Sequence, residues 1–434
     1  MYNTNKMSKV FSLKRLGRSL VCRILESQVR RLRAKHSFKL VAVAGSIGKT
    51  STKLAIAHSL EVSKRVMYQT GNYNDRVTVP LVIFGRTLPP LFNIAAWLKI
   101  FLLNEKTIRL PYYYDVVIVE LGPDGPGQMK DFAYLEPDIA VVTAITPEHM
   151  EYFKTLDAVA AEELTVCDFS KKVLVNADDI PAGYLEGRAV LTYGTSDVYT
   201  YKITDSVSKG LEGTDVELQL AAEPPLQAQA QIVGAQGVKI LLAAAATGQL
   251  LGLTDDELQR GLQEIKPFAG RMQILRGIKG STIIDDTYNA SPEPVIAALD
   301  VLYAAKSSQR IAILGNMNEL GEYSEEAHRK VGAYCQPDKL DIVVTIGPDA
   351  EKYLAPAAKG KGCQVHSFSS PYEAGEFVAK RLKDGAVVLA EGSQNRVFAE
   401  ESLKVLLADK ADESRLVRQS RVWMAKKRKQ FRPL

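Results

Sequence analysis

The chain is predicted to be α/β, with two parallel-sheet units in succession, and three observations carry this. Short apolar runs, such as residues 40–44, 116–119 and 342–346, have the composition of strands covered on both faces. The first of these runs passes directly into a glycine loop and a helix, an arrangement that turns backbone N–H groups toward an anion. The alternation of strand and helix then restarts near residues 267–270, which places a boundary there. The regions expected are 1–38, a basic amphipathic segment; 39–267, a central unit; 268–410, a C-terminal unit; and 411–434, a basic tail.

A chain of 434 residues is long for a single core, and its 46% hydrophobic and 24% charged content is that of a globular protein. Cys22, Cys167, Cys335 and Cys363 have no metal-like spacing, so reduced thiols in a cytoplasmic setting are expected. No secretory signal stands out. Residues 1–36 hold ten lysines and arginines against Glu26, and residues 411–434 hold eight against Asp412 and Glu413. Because the whole chain carries only +5, the body between these ends is acidic, which argues against a nucleic-acid-binding body.

In order along the chain, Leu16, Leu20, Val21, Ile24, Leu25, Val29 and Leu32 recur at helical spacing among arginines. Two readings of this basic amphipathic helix stand side by side: it lies on an anionic membrane or a partner, or it packs on its own domain with a solvated basic face. Strand 40–44 leads into Gly45, Ser46, Ile47, Gly48, Lys49, Thr50 and Ser51. Gly45 and Gly48 let the backbone cradle a phosphate, Lys49 reaches its terminal oxygens, and the Thr50 hydroxyl is placed for Mg²⁺. The general phosphate-loop pattern has a further glycine where this chain has Val43.

Residues 70–80 form a loop dense in turn residues. Residues 91–103 are strongly apolar but shorter than the roughly 20 residues a membrane span needs, so a buried or interfacial helix is expected. A strand over 114–120 ends in Glu120, and a carboxylate at a strand end beside a phosphate loop commonly holds Mg²⁺. A strand over 138–143 leads to His149, read either as a metal ligand or as a polar loop residue. Glu162 and Glu163 fall on a helix over 160–166, a strand follows at 173–176, residues 193–233 alternate as an antiparallel subsheet would, and 237–253 form an alanine-rich helix. The second unit has strands at 281–285, 310–314, 342–346 and 386–390, with polar loops at 285–292 and 315–321 where ligands of open sheets sit.

Taken together, Gly45-Ser-Ile-Gly-Lys-Thr-Ser51, Gly71-Asn-Tyr-Asn74, Glu120-Leu-Gly122, Glu148-His149, Gly270-Arg271, Asp285-Asp-Thr-Tyr-Asn-Ala290, the run 314–322 with His328, and Glu391-Gly-Ser393 resemble, in order, the motifs of the Mur ligase family. The resemblance covers about residues 39–405. It implies a central P-loop parallel-sheet ATPase domain and a C-terminal Rossmann-like domain. It further implies an ATP-dependent, amide-forming ligase of peptidoglycan precursor synthesis: a muramoyl-peptide carboxylate is activated as an acyl phosphate and attacked by D-alanyl-D-alanine or a similar amine.

By that resemblance, Lys49 and the loop amides hold the β and γ phosphates, and Thr50, Glu120 and His149 arrange Mg²⁺. Arg271, Asp286 and Asn289 reach the nucleotide from the C-terminal domain, and Asn72 and Asn74 face substrate. The enzyme is expected as a cytoplasmic monomer, with its basic termini touching the inner face of the membrane. Four departures from the family pattern stand out. About 38 residues precede the phosphate strand, where family members carry a domain that holds the UDP end of the substrate. A lysine that is carbamylated in the family falls on Glu163, whose carboxylate is expected to replace the carbamate. An asparagine near the adenine is Ile240 here. The lysine of a Lys-Gly-Ser turn is Glu391, which reverses a charge near the second substrate. Two rival readings remain: a ligase that extends another carboxylate, of the folylpolyglutamate or amino-acid-polymer type, and a non-ligating P-loop ATPase serving as an interaction module.

Overall fold

The computed structural model describes residues 4–71, 73–90 and 92–431, with side chains from residue 17 onward. Two sheets organise it. The first has nine strands: β1 (Lys39–Ala44), β2 (Val66–Met67), β3 (Val116–Glu120), β4 (Ile139–Val142), β5 (Val173–Asn176), β6 (Leu191–Gly194), β7 (Tyr201–Ser208), β8 (Thr214–Leu220) and β9 (Leu226–Ala230), in the order β2-β3-β1-β4-β5-β6-β7-β8-β9. From β2 to β7 the pairing is parallel, and β7, β8 and β9 pair antiparallel. The antiparallel subsheet expected over 193–233 is therefore present from β7 onward, while β6 extends the parallel sheet.

Burial explains the strand types. Every residue of β3, β4 and β5 is buried, as parallel strands with both faces covered require, whereas β9 alternates buried and exposed residues. The helix Gly234–Leu250 lies on the β6–β9 end and inserts Leu241, Leu242 and a run of alanines into the core. Small side chains there allow close approach of helix and sheet.

The second sheet holds β10 (Gln273–Arg276), β11 (Thr282–Asp286), β12 (Arg310–Gly315), β13 (Ile342–Ile346), β14 (Val365–Phe368) and β15 (Val387–Glu391), in the order β10-β11-β15-β12-β13-β14. Only β10 is antiparallel. The expected strands are thus found within a residue or two, and β2, β10 and β14 are additional. Both sheets point the C-terminal ends of their parallel strands toward one cleft, lined by residues that follow β1, β3, β4, β11 and β12.

The helix Thr4–Lys35 packs on the first unit: Leu25, Val29 and Leu32 are fully buried, while Arg23, Arg30 and Arg31 face solvent. The helix Ile94–Arg109 runs beside it, capped by the Asn93 side chain, and buries Trp97, Ile100, Asn104 and Ile108. At the far end, residues 411–431 do more than trail as a basic tail. The helix Arg421–Gln430 buries Lys427 against Glu400 and Glu401 at 2.8 and 2.6 Å. All four cysteines are free thiols, and among the described residues no helix is long and apolar enough to cross a membrane.

Candidate active site

The cleft between the two sheets encloses about 450 Å³. Its first wall is the loop between β1 and the helix Lys49–Leu60. Gly45 and Gly48 have φ of 115° and 79°, the left-handed region that side chains rarely enter. A Cβ on Gly45 would also stand 2.5 Å from Thr143 Oγ1 and 2.9 Å from two backbone nitrogens. The Gly45 N–H donates to Glu163 Oε2 at 2.7 Å, and Thr146 N donates to Ser46 Oγ at 3.0 Å, so the loop is pinned from behind and from the side.

Lys49 curls back over the loop. Its Nζ donates to the Gly45 and Ser46 carbonyls and pairs with Glu148 at 3.1 Å. Burial alone would lower its pKa, but Glu148, Glu163 and Glu120 more than offset this and hold it charged. Thr50 Oγ1 donates to Glu120 Oε2 at 3.0 Å, and Lys53 Nζ reaches the same oxygen at 3.0 Å. Lys53 and Glu120 are 2% and 3% exposed, so this is a buried ion pair, and removing one partner typically costs ~3–5 kcal/mol. Burial would raise the Glu120 pKa; Lys53 and Lys49 outweigh it and keep the group an anion. Lys53 was not singled out from the sequence, although its place one turn after Lys49 on the same helix face was visible there.

Glu163 is not part of the cleft wall. It lies behind the loop, and burial, in the company of Glu148 and Glu162, pushes its pKa up to about 7 despite nearby Lys49. His149 lines the cleft, but its ring bonds elsewhere than to Thr50 or Glu120: Nδ1 meets Glu319 Oε2 at 3.2 Å, across from the second unit. The hydrogen bond with Glu319 raises the His149 pKa and lowers that of Glu319. Both residues are in left-handed conformations, with φ of 49° and 66°, strain of the kind that collects at functional sites.

Mg²⁺ prefers few protein oxygens beside water and phosphate. Thr50 Oγ1 and the Glu120 carboxylate, already in contact at the loop, fit that demand, and no larger acid cluster is required. Of the two His149 nitrogens, Nδ1 is paired with Glu319, and Nε2 faces Asp124 and Glu148 at 3.9 Å. Among the described residues no group of three or more His, Cys, Asp or Glu forms a metal cage.

The second unit supplies Arg271, Asp286 and Asn289 to the same cleft, as expected. Arg271 stacks on Tyr288 at 4.4 Å, and its Nε has no hydrogen-bond partner. Asp286 accepts from Met272 N at 3.1 Å. It sits level with Glu391 on the adjacent parallel strand, so both carboxyls share a face. Neither Glu391 oxygen receives an N–H or hydroxyl donor, and burial beside Asp286 drives its pKa well above the ordinary range. Burial raises the pKa of Asp286 as well, and Glu391, only 1% exposed, lies behind the cleft wall and is not among its lining residues.

His328 braces the 315–321 loop as a neutral imidazole, its Nε2 accepting from Met317 N at 3.0 Å. Ile240 lines the cleft, as does its neighbour Lys239, which pairs with Asp179 at 2.8 Å. Lys239 is the one charge in the alanine-rich helix and was legible as such. Asn74 lines the cleft, and its carbonyl accepts from Gly122 N. Asn72 lies outside the described residues. Arg418 was missed altogether: its guanidinium pairs with Glu400 at 2.7 Å and donates to the Thr287 and Tyr288 carbonyls, holding the loop that carries Asn289.

Residues 102–248 match the Mur ligase middle domain and residues 270–394 the glutamate ligase domain of the Mur ligases, together more than half of the sequence. The chain belongs to the Mur ligase family. It is 28% identical over 316 residues to the UDP-N-acetylmuramoyl-tripeptide–D-alanyl-D-alanine ligase of Bacillus subtilis, a match covering 71% of this chain and 63% of that protein. The enzyme of the same name from Haemophilus influenzae is 27% identical, with 87% of this chain and 79% of that one covered. Among solved structures, MurF ligase from Thermotoga maritima in complex with ADP superposes with a TM-score of 0.72 at 24% identity, covering 90% of this chain and 84% of that one. The two domain matches begin after the phosphate loop and end before Arg418.

Proposed function

We propose that this Mur ligase-family chain is an ATP-dependent ligase of peptidoglycan precursor synthesis, joining a muramoyl-peptide carboxylate to D-alanyl-D-alanine or a similar amine. The observation that carries this reading is the shared cleft: the phosphate loop of one unit faces Arg271, Asp286 and Asn289 of the other. In the reaction an oxygen of the acceptor carboxylate attacks the γ-phosphorus and the bond to ADP breaks, leaving an acyl phosphate. The amine nitrogen then attacks the acyl carbon, and the tetrahedral intermediate expels phosphate and leaves the amide.

Such phosphoryl transfer depends on positioning and charge neutralisation more than on covalent help. The loop N–H groups and Lys49 meet the β and γ phosphates, Lys49 exchanging the Gly45 and Ser46 carbonyls for phosphate oxygens. Arg271 brings its unpartnered Nε to the developing charge from the opposite wall. Thr50 and Glu120 would hold Mg²⁺, which supplies further neutralisation of phosphate charge. His149 arranges the rim through Glu319, and Glu163 serves as the carboxylate beneath the loop. Asn72 and Asn74 serve the substrate side. The protein works as a monomer in the cytoplasm, a setting in keeping with its free thiols.

The test is mass spectrometry of the products formed by purified protein with ATP, Mg²⁺ and a panel of muramoyl peptides and amines, with ADP release followed in parallel. The expected result is ADP release that requires both a muramoyl peptide and an amine, with a product heavier by the amine less water. Turnover with a folate or a poly-amino acid in place of the muramoyl peptide would select the other ligase reading. ATP hydrolysis indifferent to any acceptor would overturn ligation altogether.

A further inference from the structure

The helices Thr4–Lys35 and Ile94–Arg109 lie side by side and run in the same direction. Gln28 Nε2 donates to the Phe101 carbonyl, Arg31 pairs with Glu105, and Lys35 Nζ reaches the Arg109 carbonyl, an almost constant offset along both helices. Their inner faces are well packed, with Cys22 and Leu25 against Trp97 and Ile100. One stripe of the outer face of the second helix is apolar, where a solvated surface helix would be polar. Ile94, Leu98 and Leu102, spaced four residues apart, are 73%, 56% and 71% exposed, and Leu20, level with the first turn of that helix, is 61% exposed. Contiguous exposed leucine and isoleucine on a soluble surface marks an interaction site.

Among the described residues, the exposed charges of the two helices that have no ion-pair partner are basic. Arg23 and Arg30 on the first helix and Lys99, Lys106 and Arg109 on the second are exposed. The acids of the described parts of the two helices are both engaged: Glu26 is buried against Arg76, and Glu105 is held by Arg31 and Gln28. We propose that this face is an interfacial docking surface for an anionic lipid bilayer, with Leu20, Ile94, Leu98 and Leu102 entering the headgroup region and the surrounding basic side chains pairing with lipid phosphates. An apolar stripe bordered by lysine and arginine is the composition of helices that lie in a membrane plane, and neither helix is apolar enough to cross one. A two-fold contact between copies is disfavoured by the same charges, since an isologous interface would set the basic border against itself. None of these residues lines the cleft, so docking leaves the site open to substrate.

The experiment is co-sedimentation of the full chain with phosphatidylcholine vesicles made with and without phosphatidylglycerol. The comparison set is the wild type, the double variant Leu98→Gln/Leu102→Gln, and Lys99→Gln/Lys106→Gln. The wild type is expected to sediment with anionic vesicles, much less with neutral ones, and less as salt is raised. Each double variant should lose about tenfold or more in apparent affinity while keeping wild-type circular dichroism, thermal midpoint and ADP release. Failure of the wild type to sediment with anionic vesicles, or equal sedimentation of wild type and the leucine variant, would overturn the proposal. So would a dimer in analytical ultracentrifugation that the leucine substitutions dissolve, because that result gives the face to a second copy.

Discussion

A carboxyl that is buried behind the phosphate loop and bonded to the Gly45 N–H makes the loop sensitive to pH. Glu163 has a folded pKa of about 7 against an ordinary 4.5, so the folded state holds the proton more firmly than the unfolded chain does. Its contribution is fully favourable below the unfolded value and is lost as pH rises through the folded one. Glu163→Gln, which retains an acceptor for Gly45, should therefore gain stability relative to wild type between pH 5 and pH 8, by about 2 kcal/mol. Urea unfolding of both proteins across that range measures it, and a pH-independent difference would refute it. The Mg²⁺ dependence of ATP turnover in the same variant tests whether the carboxylate also serves the metal. On the cleft side of the loop, Lys49→Ala should lower ADP release on the order of 100-fold or more with little change in the thermal midpoint, as expected for a group whose work is done on phosphate.

At the scale of elements, two connections carry the site. The strand–loop–helix from β1 onward needs glycine at position 45 for both φ and space; Gly45→Ala should abolish ATP binding in calorimetry and lower the thermal midpoint, since backbone nitrogens cannot move aside. The loop after β11 is held by a residue from a segment that reads as a charged tail. Arg418 is 6% exposed in its side chain and reaches both Glu400 and two loop carbonyls. Arg418→Ala leaves those carbonyls without a donor and should cost ~2–4 kcal/mol in denaturant unfolding. It should also raise the KM for ATP more than it lowers kcat, because it loosens Tyr288 and Asn289 without touching the reacting atoms. A kcat loss with unchanged KM would show that this anchoring is wrongly described.

For the molecule as a whole, the two units meet across the cleft at His149 and Glu319, and Gly234 packs against Val301 in the last turn of the helix Pro292–Ala304. The His149–Glu319 pair is favourable while the imidazole is charged. With its folded pKa raised above the ordinary 6.5, the contribution is complete below that value and fades as pH rises through the raised one. Small-angle scattering should accordingly show the ligand-free protein opening with increasing pH. Glu319→Gln should remove that dependence and shift the His149 titration seen by NMR to lower pH. Identical titrations in wild type and variant would dissociate the bridge from closure.

Much of this was legible along the chain. The buried parallel strands betrayed themselves as unbroken apolar runs, and the glycine loop with Lys49 and Thr50 declared a phosphate site, because backbone geometry and local side-chain chemistry are encoded by neighbours in sequence. Arg271, Asp286 and Asn289 were placed through an ordered set of motifs, and they do face the loop. What only the tertiary structure decided were relations between distant residues. Lys53 neutralises Glu120, Glu391 is buried level with Asp286 behind the cleft wall, His149 turns to Glu319, and Arg418 reaches back to the loop at 287–288. Periodicity carries no information about such pairings. They depend on which strand ends the two sheets bring together, and on burial, which sets whether an acid at that junction stays an anion, has its pKa raised or becomes half of an ion pair.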